Sequence, residues 1–263
     1  MLYRKMSTYI ILVLSLVITL GIPVEADNYL SHVLPGFQQY QITIITPKGE
    51  EEYDYFVSFS VDRKAKNINV YTDGVEYKTN SFYDLDLNII SSEMIVTSEE
   101  DIERVGFNRR TASCSTDGAQ INIDFYLGDD LQVSRVIHLK EQAVEFEVLG
   151  LYLQALLLKN STDFHGQLID INGIGRYELD SKVLTVREIK KLAAGRHMSW
   201  QVKEILDRAE DIYVFSIGYD GMLRWFFPAR FHVVLEKQAP HRILAFWGGS
   251  SELLRYHVYT YQE

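Results

Sequence analysis

Cysteine is almost missing from this chain: Cys114 stands alone among 263 residues. A single thiol cannot close an intramolecular disulfide, so the fold has to be held by its core. Cys114 itself is expected as a small buried apolar side chain. An excess of positive charge is also missing. The formal net charge is -10, which argues against nucleic acid as a partner, because phosphate contacts need a basic surface. The common chemical signatures are absent as well. There is no G-x-S-x-G elbow, no S-x-x-K and no H-E-x-x-H. The histidines, His32, His138, His165, His197, His232, His241 and His257, include no pair at i, i+4, and no cysteine pair exists to complete a zinc site. Asn172-Gly173-Ile174-Gly175 lacks the third glycine of a dinucleotide loop. Gly248-Gly249-Ser250-Ser251 has the small residues of an oxyanion loop, but a hairpin turn accounts for it better. No Pro/Ser-rich linker, low-complexity tract or fixed-period repeat divides the chain. The expectation is a non-enzyme with no catalytic residue, no metal and no cofactor, built as one domain over residues 27–263.

Two long apolar runs are present. The first, Tyr9 to Gly21, follows Arg4 and Lys5 and is broken by Pro23, with Val24-Glu25-Ala26 as a cleavage site. This is the layout of a secretory signal over residues 1–26, and it implies a periplasmic location. The run is short of the roughly 20 apolar residues that a spanning helix needs; an uncleaved anchor is the alternative. The second run is Ala143 to Lys159. Val144, Val148, Leu151, Tyr152, Ala155 and Leu158 recur at steps of three and four, the spacing of one helix face. Leu149, Leu153, Leu156 and Leu157 widen that face until little is left for water.

Around this run the chain reads as strands. Aromatic residues make up 13% and include 17 Tyr, a composition that suits a pleated, half-buried surface. Tyr53, Tyr55, Val57 and Phe59 alternate, as do Ile121, Ile123 and Phe125, and Tyr213, Phe215, Ile217 and Tyr219. Asp73-Gly74, Asp117-Gly118 and Gly128-Asp129 mark turns. Ser98 to Val105 is acidic and predicts a short helix capped by Ser98. Tyr177 to Glu188 and Met198 to Leu206 read as extended strands. Pro228 interrupts Met222 to Lys237 and places that strand at an edge or a bend. The fold class that follows is mainly β with a central helix: a curved antiparallel half-barrel wrapped around one long apolar helix.

The second half adds a resemblance. It carries the helix VLGLYLQAL, then HGQLIDINGIGRYELDSKVLTVREI, the turn Lys191-Leu192-Ala193-Ala194-Gly195 leading into HMSWQVKEI, and WFFPARFHVVLE before a final hairpin. From roughly Asp124 to Tyr261 this resembles an uncharacterised family of bacterial periplasmic proteins, a domain of unknown function with the open half-barrel of the Lol-type lipoprotein carriers. The resemblance implies a carrier rather than a catalyst and brings no catalytic residue with it.

Leu149, Tyr152 and Leu156 on the helix, with Tyr213, Phe215, Ile217, Trp225, Phe227, Trp247 and Tyr256 on strands, form the candidate ligand-binding surface. These residues also suit a core packed against the helix, and both roles hold if the helix acts as a plug that shifts. An acyl chain of ~14 methylenes would bury roughly 11 kcal/mol gross at ~0.8 kcal/mol each. The expected function is a non-catalytic carrier of a lipid or an acylated protein, with transient membrane contact. An envelope scaffold that binds another protein through a strand edge is the alternative.

Overall fold

The computed structural model describes residues 34–139, 143–145, 148–162, 165–170, 175–195, 198–219, 230–248 and 255–262. Alternation turns the first half into eight strands: β1 (Phe37–Ile45), β2 (Glu51–Asp62), β3 (Asn67–Asp73), β4 (Tyr77–Asp84), β5 (Ile89–Val96), β6 (Arg109–Cys114), β7 (Gln120–Leu127) and β8 (Asp130–His138). Each pairs antiparallel with the next. Helix α1 (Glu99–Val105) joins β5 to β6. Ser98 caps it by accepting from the Asp101 amide, and Gly106 ends it at φ 79°, a left-handed conformation that glycine adopts without strain.

The second half begins with β9 (Ala143–Glu145), α2 (Leu149–Leu158) and β10 (His165–Asp170). Strands β9 and β10 lie parallel, so α2 is the crossover between them. Then come β11 (Gly175–Val183), α3 (Val186–Ala193), α4 (Trp200–Asp207), β12 (Ile212–Tyr219), β13 (Arg230–Glu236), β14 (Ile243–Gly248) and β15 (Arg255–Gln262). Strand β1 also pairs with β15. That one pairing joins the two halves into a continuous 15-stranded sheet, with β8 at one edge and β9 at the other.

The sheet is a half-barrel around α2. Five leucines, Ala155 and Gln154 of this helix are buried. One apolar core runs from Tyr40, Ile42 and Phe59 through Ile121 and Ile123 to Phe215, Ile217 and Val233, with α2 in its centre. Burying the five leucines contributes on the order of 10 kcal/mol gross. The helix is shorter than the apolar run that announces it. Ala143 to Glu145 pair with Gln167 to Ile169 instead, so the N-terminal part of the run serves as an edge strand and only Leu149 to Leu158 is helical.

The outer face of the sheet differs from the sequence expectation. Tyr177 to Glu188 is not one strand, and Met198 to Leu206 is not a strand at all. Strand β11 stops at Val183 because Thr185 and Glu188 form a reciprocal capping box that starts α3. Ser199 caps α4 by accepting from the Val202 amide. Ile189, Val202 and Leu206 from these helices cover Ile45, Val214, Val234 and Ala245 in a second core. Gln201 fastens α4 to the β1–β2 turn by donating to the Gly49 carbonyl at 3.0 Å.

One buried polar lock ties α2 to the sheet. The Gln38 and Gln154 side-chain amides bond reciprocally, at 3.0 and 3.1 Å. Gln154 Nε2 also donates to the Pro240 carbonyl at 2.7 Å, and Tyr40 Oη donates to Gln38 Oε1 at 2.8 Å. Both glutamines are buried, at 2% and 0% exposure.

Candidate functional site

The space that α2 leaves unfilled lies beside its first turn. A cavity of about 210 Å³ opens there between the two halves of the sheet. Its apolar walls are Val57, Phe59, Val70, Ile42, Val233, Ile243 and Phe246, with Leu149 and Gly150 of the helix. Gly150 permits the close approach on that side: a Cβ there would sit 2.6 Å from Ile243 Cδ1. Val148, which precedes the helix, gives it no side-chain cap.

The polar residues of the lining are Tyr55, Thr72, Tyr77, His257 and Tyr259. Strand register gathers most of them at one end. Ile44 faces His257, and Ile42 faces both Tyr259 and Tyr55. Tyr55 and Tyr77 both neighbour Gly74. Further along β1, Tyr40 faces Val57 and Gln38 faces Phe59, with Val70 opposite Phe59 on the other side. The cavity is therefore amphipathic, polar at the Tyr55–His257 end and apolar at the Val57–Phe59–Val70 end. Tyr55 Oη lies 3.0 Å from His257 Nδ1, and the Phe246 ring meets the imidazole edge-on at 5.6 Å. Burial, helped by the positive charge of Arg255, lowers the His257 pKa to about 4. Burial likewise pushes the Tyr259 hydroxyl above its ordinary value.

The residues singled out from sequence fall into three groups. Leu149, Leu156, Phe215 and Ile217 lie in the core around α2, and Tyr152 and Tyr213 pack against it. Of these six only Leu149 borders the cavity. Trp247 and Tyr256 are a correction: they belong to the second core, under α3 and α4 on the opposite face. Tyr256 follows the unbroken alternation of β15, opposite Ile45 and Trp247. For Trp247 the reason is a bulge in β14. Leu235 faces Ile243, but Val234 faces Ala245, so the extra residue reverses the sidedness of the rest of the strand. Trp225 and Phe227 lie outside the described residues. Sequence reasoning missed Tyr55, Tyr77, His257 and Tyr259 as a group. Their alternation was visible, but their convergence depends on the β1–β15 pairing.

A second buried histidine lies on the outer face. His232 stacks on Trp247 with ring centroids 5.0 Å apart, and among the described residues its Nδ1 has no hydrogen-bond partner. Burial beside Arg230 lowers its pKa to about 4.

A wider depression of about 850 Å³ is lined by Asp84, Asp86, Asn88, Cys114 and Asp117. Two of its carboxylates have structural work. Asp84 accepts from the Asp86 and Asn88 amides, and Asp117 accepts from the Ala119 amide and the Ser115 hydroxyl. Burial raises the Cys114 thiol pKa, which disfavours the reactive thiolate. Among the described residues no three His, Cys, Asp or Glu side chains come together as a metal site.

No family model matches the chain, and no curated protein matches it. Among solved structures it is similar to a β-barrel-like protein of a domain of unknown function from Brucella abortus, at 10% identity and a TM-score of 0.45, over 85% of this chain and 94% of that one.

Proposed function

We propose that this is a non-catalytic binding protein, exported to the periplasm, that holds a lipid-like apolar ligand or the acyl chain of a lipid-modified partner beside α2. The observation that carries this reading is the cavity: about 210 Å³ of space, walled mainly by apolar side chains, inside a close-packed sheet. Its volume sets the ligand. An apolar cavity of about 150 Å³ takes a benzene ring, so this one takes roughly eight carbons. Those methylenes bury ~6 kcal/mol gross, before the costs of association. A chain of ~14 methylenes exceeds the cavity unless α2 shifts, which makes the helix a plug that a longer ligand displaces. The signal-like segment at residues 1–26 supports export. No helix among the described residues is long and apolar enough to cross a membrane.

Val70→Phe tests the reading, because Val70 is fully buried and borders the cavity. The added ring fills the space. Uptake of a fluorescent fatty acid is expected to fall at least ~10-fold while thermal stability holds or rises. A wild-type chain that takes up no such probe, and shows no co-purified lipid by native mass spectrometry, would sink the proposal.

A second reading has its own observation. Strand β8 is an edge strand with a neighbour on one side only among the described residues. Leu131, Val133 and Val136 on it are 41–55% exposed. Such an edge suits addition of a strand from another protein. Leu131→Glu with Val136→Lys is expected to abolish cross-linked capture of an envelope partner while leaving the fold intact. Capture that survives this pair removes the edge from consideration.

A further inference from the structure

The lining of the cavity beside α2 is selective as well as apolar. Its described residues include no Asp, Glu, Lys or Arg. A permanently charged head group, such as a quaternary ammonium or a phosphodiester, would sit there without a counter-charge at high desolvation cost. A simple hydrocarbon would leave the polar end unused. His257 is the one basic side chain in the described lining, and burial keeps it neutral near pH 7. Its Nδ1 is engaged with Tyr55, and its Nε2 has no partner among the described residues. When Tyr55 Oη donates to Nδ1, Nε2 carries the ring proton and donates to a ligand oxygen. In the other tautomer Nε2 accepts from a protonated acid.

We propose that the ligand is a medium-chain monocarboxylic acid, with its carboxyl group held at the Tyr55–His257 end and its tail on Val57, Phe59 and Val70. This rests on the ligand-binding reading given above. The bound pair shares one proton between carboxyl and imidazole, because a bare carboxylate beside a neutral ring would be buried uncompensated. In the free state, above about pH 5, the acid is ionised and His257 is neutral. Binding therefore takes up a proton from solvent, and affinity falls as pH rises. The groups that face His257 are Tyr55 from β2, Phe246 from β14 and Ile44 from β1, and Tyr77 from β4 lines the same cavity. On its own strand Arg255 is ion-paired with Glu52 at 2.8 Å.

Titration calorimetry of the full chain with octanoic acid and with 1-octanol, between about pH 5 and about pH 7, separates the possibilities. Octanoic acid is expected to weaken by about tenfold per pH unit, and octanol not to change. His257→Leu is expected to weaken octanoic acid by at least about tenfold more than octanol, the remaining binding being that of the neutral acid and so keeping the slope; Tyr55→Phe, the milder change, should weaken the acid less. If both ligands bind with the same flat profile, or His257→Leu weakens the two ligands equally, the carboxyl assignment is overturned while the cavity reading stands. If neither ligand binds the wild-type chain, both fall.

Discussion

Acidification from neutral pH to about pH 4 is expected to remove roughly 4 kcal/mol of folding stability. Two buried histidines carry the effect. His232 and His257 have pKa values lowered from 6.5 to about 4 by burial, each with a nearby arginine adding to the shift. Above pH 6.5 both rings are neutral in the folded and unfolded chain alike, and nothing is lost. Between about pH 6.5 and about pH 4 the unfolded chain takes up protons that the folded one refuses, so stability declines as pH falls. Below about pH 4 both states are protonated and the loss levels off. A shift of this size corresponds to about 3 kcal/mol per ring at full burial; about 2 each allows for the part of each ring that water still reaches. Urea unfolding at a series of pH values measures it. His232→Leu and His257→Leu should each remove about half of the decline. His232 is the cleaner test, because the Ser216 Oγ that an apolar replacement releases from Nε2 keeps its hydrogen bond from Arg230 Nε. A profile that stays flat from pH 7 to about pH 4 would mean that both rings are well solvated.

The second large effect is expected at the lock on α2. Gln154→Leu keeps the side chain's volume but removes its amide. Gln38 Nε2 then loses its acceptor and the Pro240 carbonyl loses its donor, both inside the protein. Each stranded group costs about 1–3 kcal/mol, so a loss of about 3 kcal/mol is expected, seen as a fall of roughly 6–12 °C in melting temperature. The double variant Gln38→Leu with Gln154→Leu should recover about half of this, because the amide pair is then removed together. The Pro240 carbonyl and the Tyr40 hydroxyl stay affected, which sets the limit of the recovery. If the double variant were no more stable than Gln154→Leu alone, the reciprocal amide bond would not be what holds the helix.

Much of the architecture is legible in the sequence, because most of it follows from one periodicity. Alternation over Tyr53 to Phe59, Ile121 to Phe125 and Tyr213 to Tyr219 places strands correctly, and Asp73-Gly74 and Asp117-Gly118 lie at their turns. The leucine-rich run places the central helix, since no strand could bury so many consecutive apolar residues on one side. The failures have local causes. The Thr185–Glu188 pair and Ser199 are ordinary helix-start signals, yet the first directly follows strand β11 and the second opens a segment that also reads as extended. Val202 and Leu206, four apart, are the helical spacing within a segment that also reads as extended. The candidate site was less legible. Trp247 changes face because of a one-residue bulge in β14 that leaves no compositional mark, and Tyr256 follows the regular alternation of β15 beside it. His257 looks like any histidine on a strand until Tyr55 is brought beside it from the far end of the chain.

The pairing of β1 with β15 has a consequence for how the molecule comes into being. Gln39 lies opposite Gln262 and Ile45 opposite Tyr256, so the earliest described strand waits for the latest before its second side is satisfied. A nascent chain would carry β1 as an open template until β15 has been made. Contacts this distant in sequence are entropically slow to form. Assembly of the seam between the halves is thus a late event, and a helper that shields the exposed strand until then would find its target there.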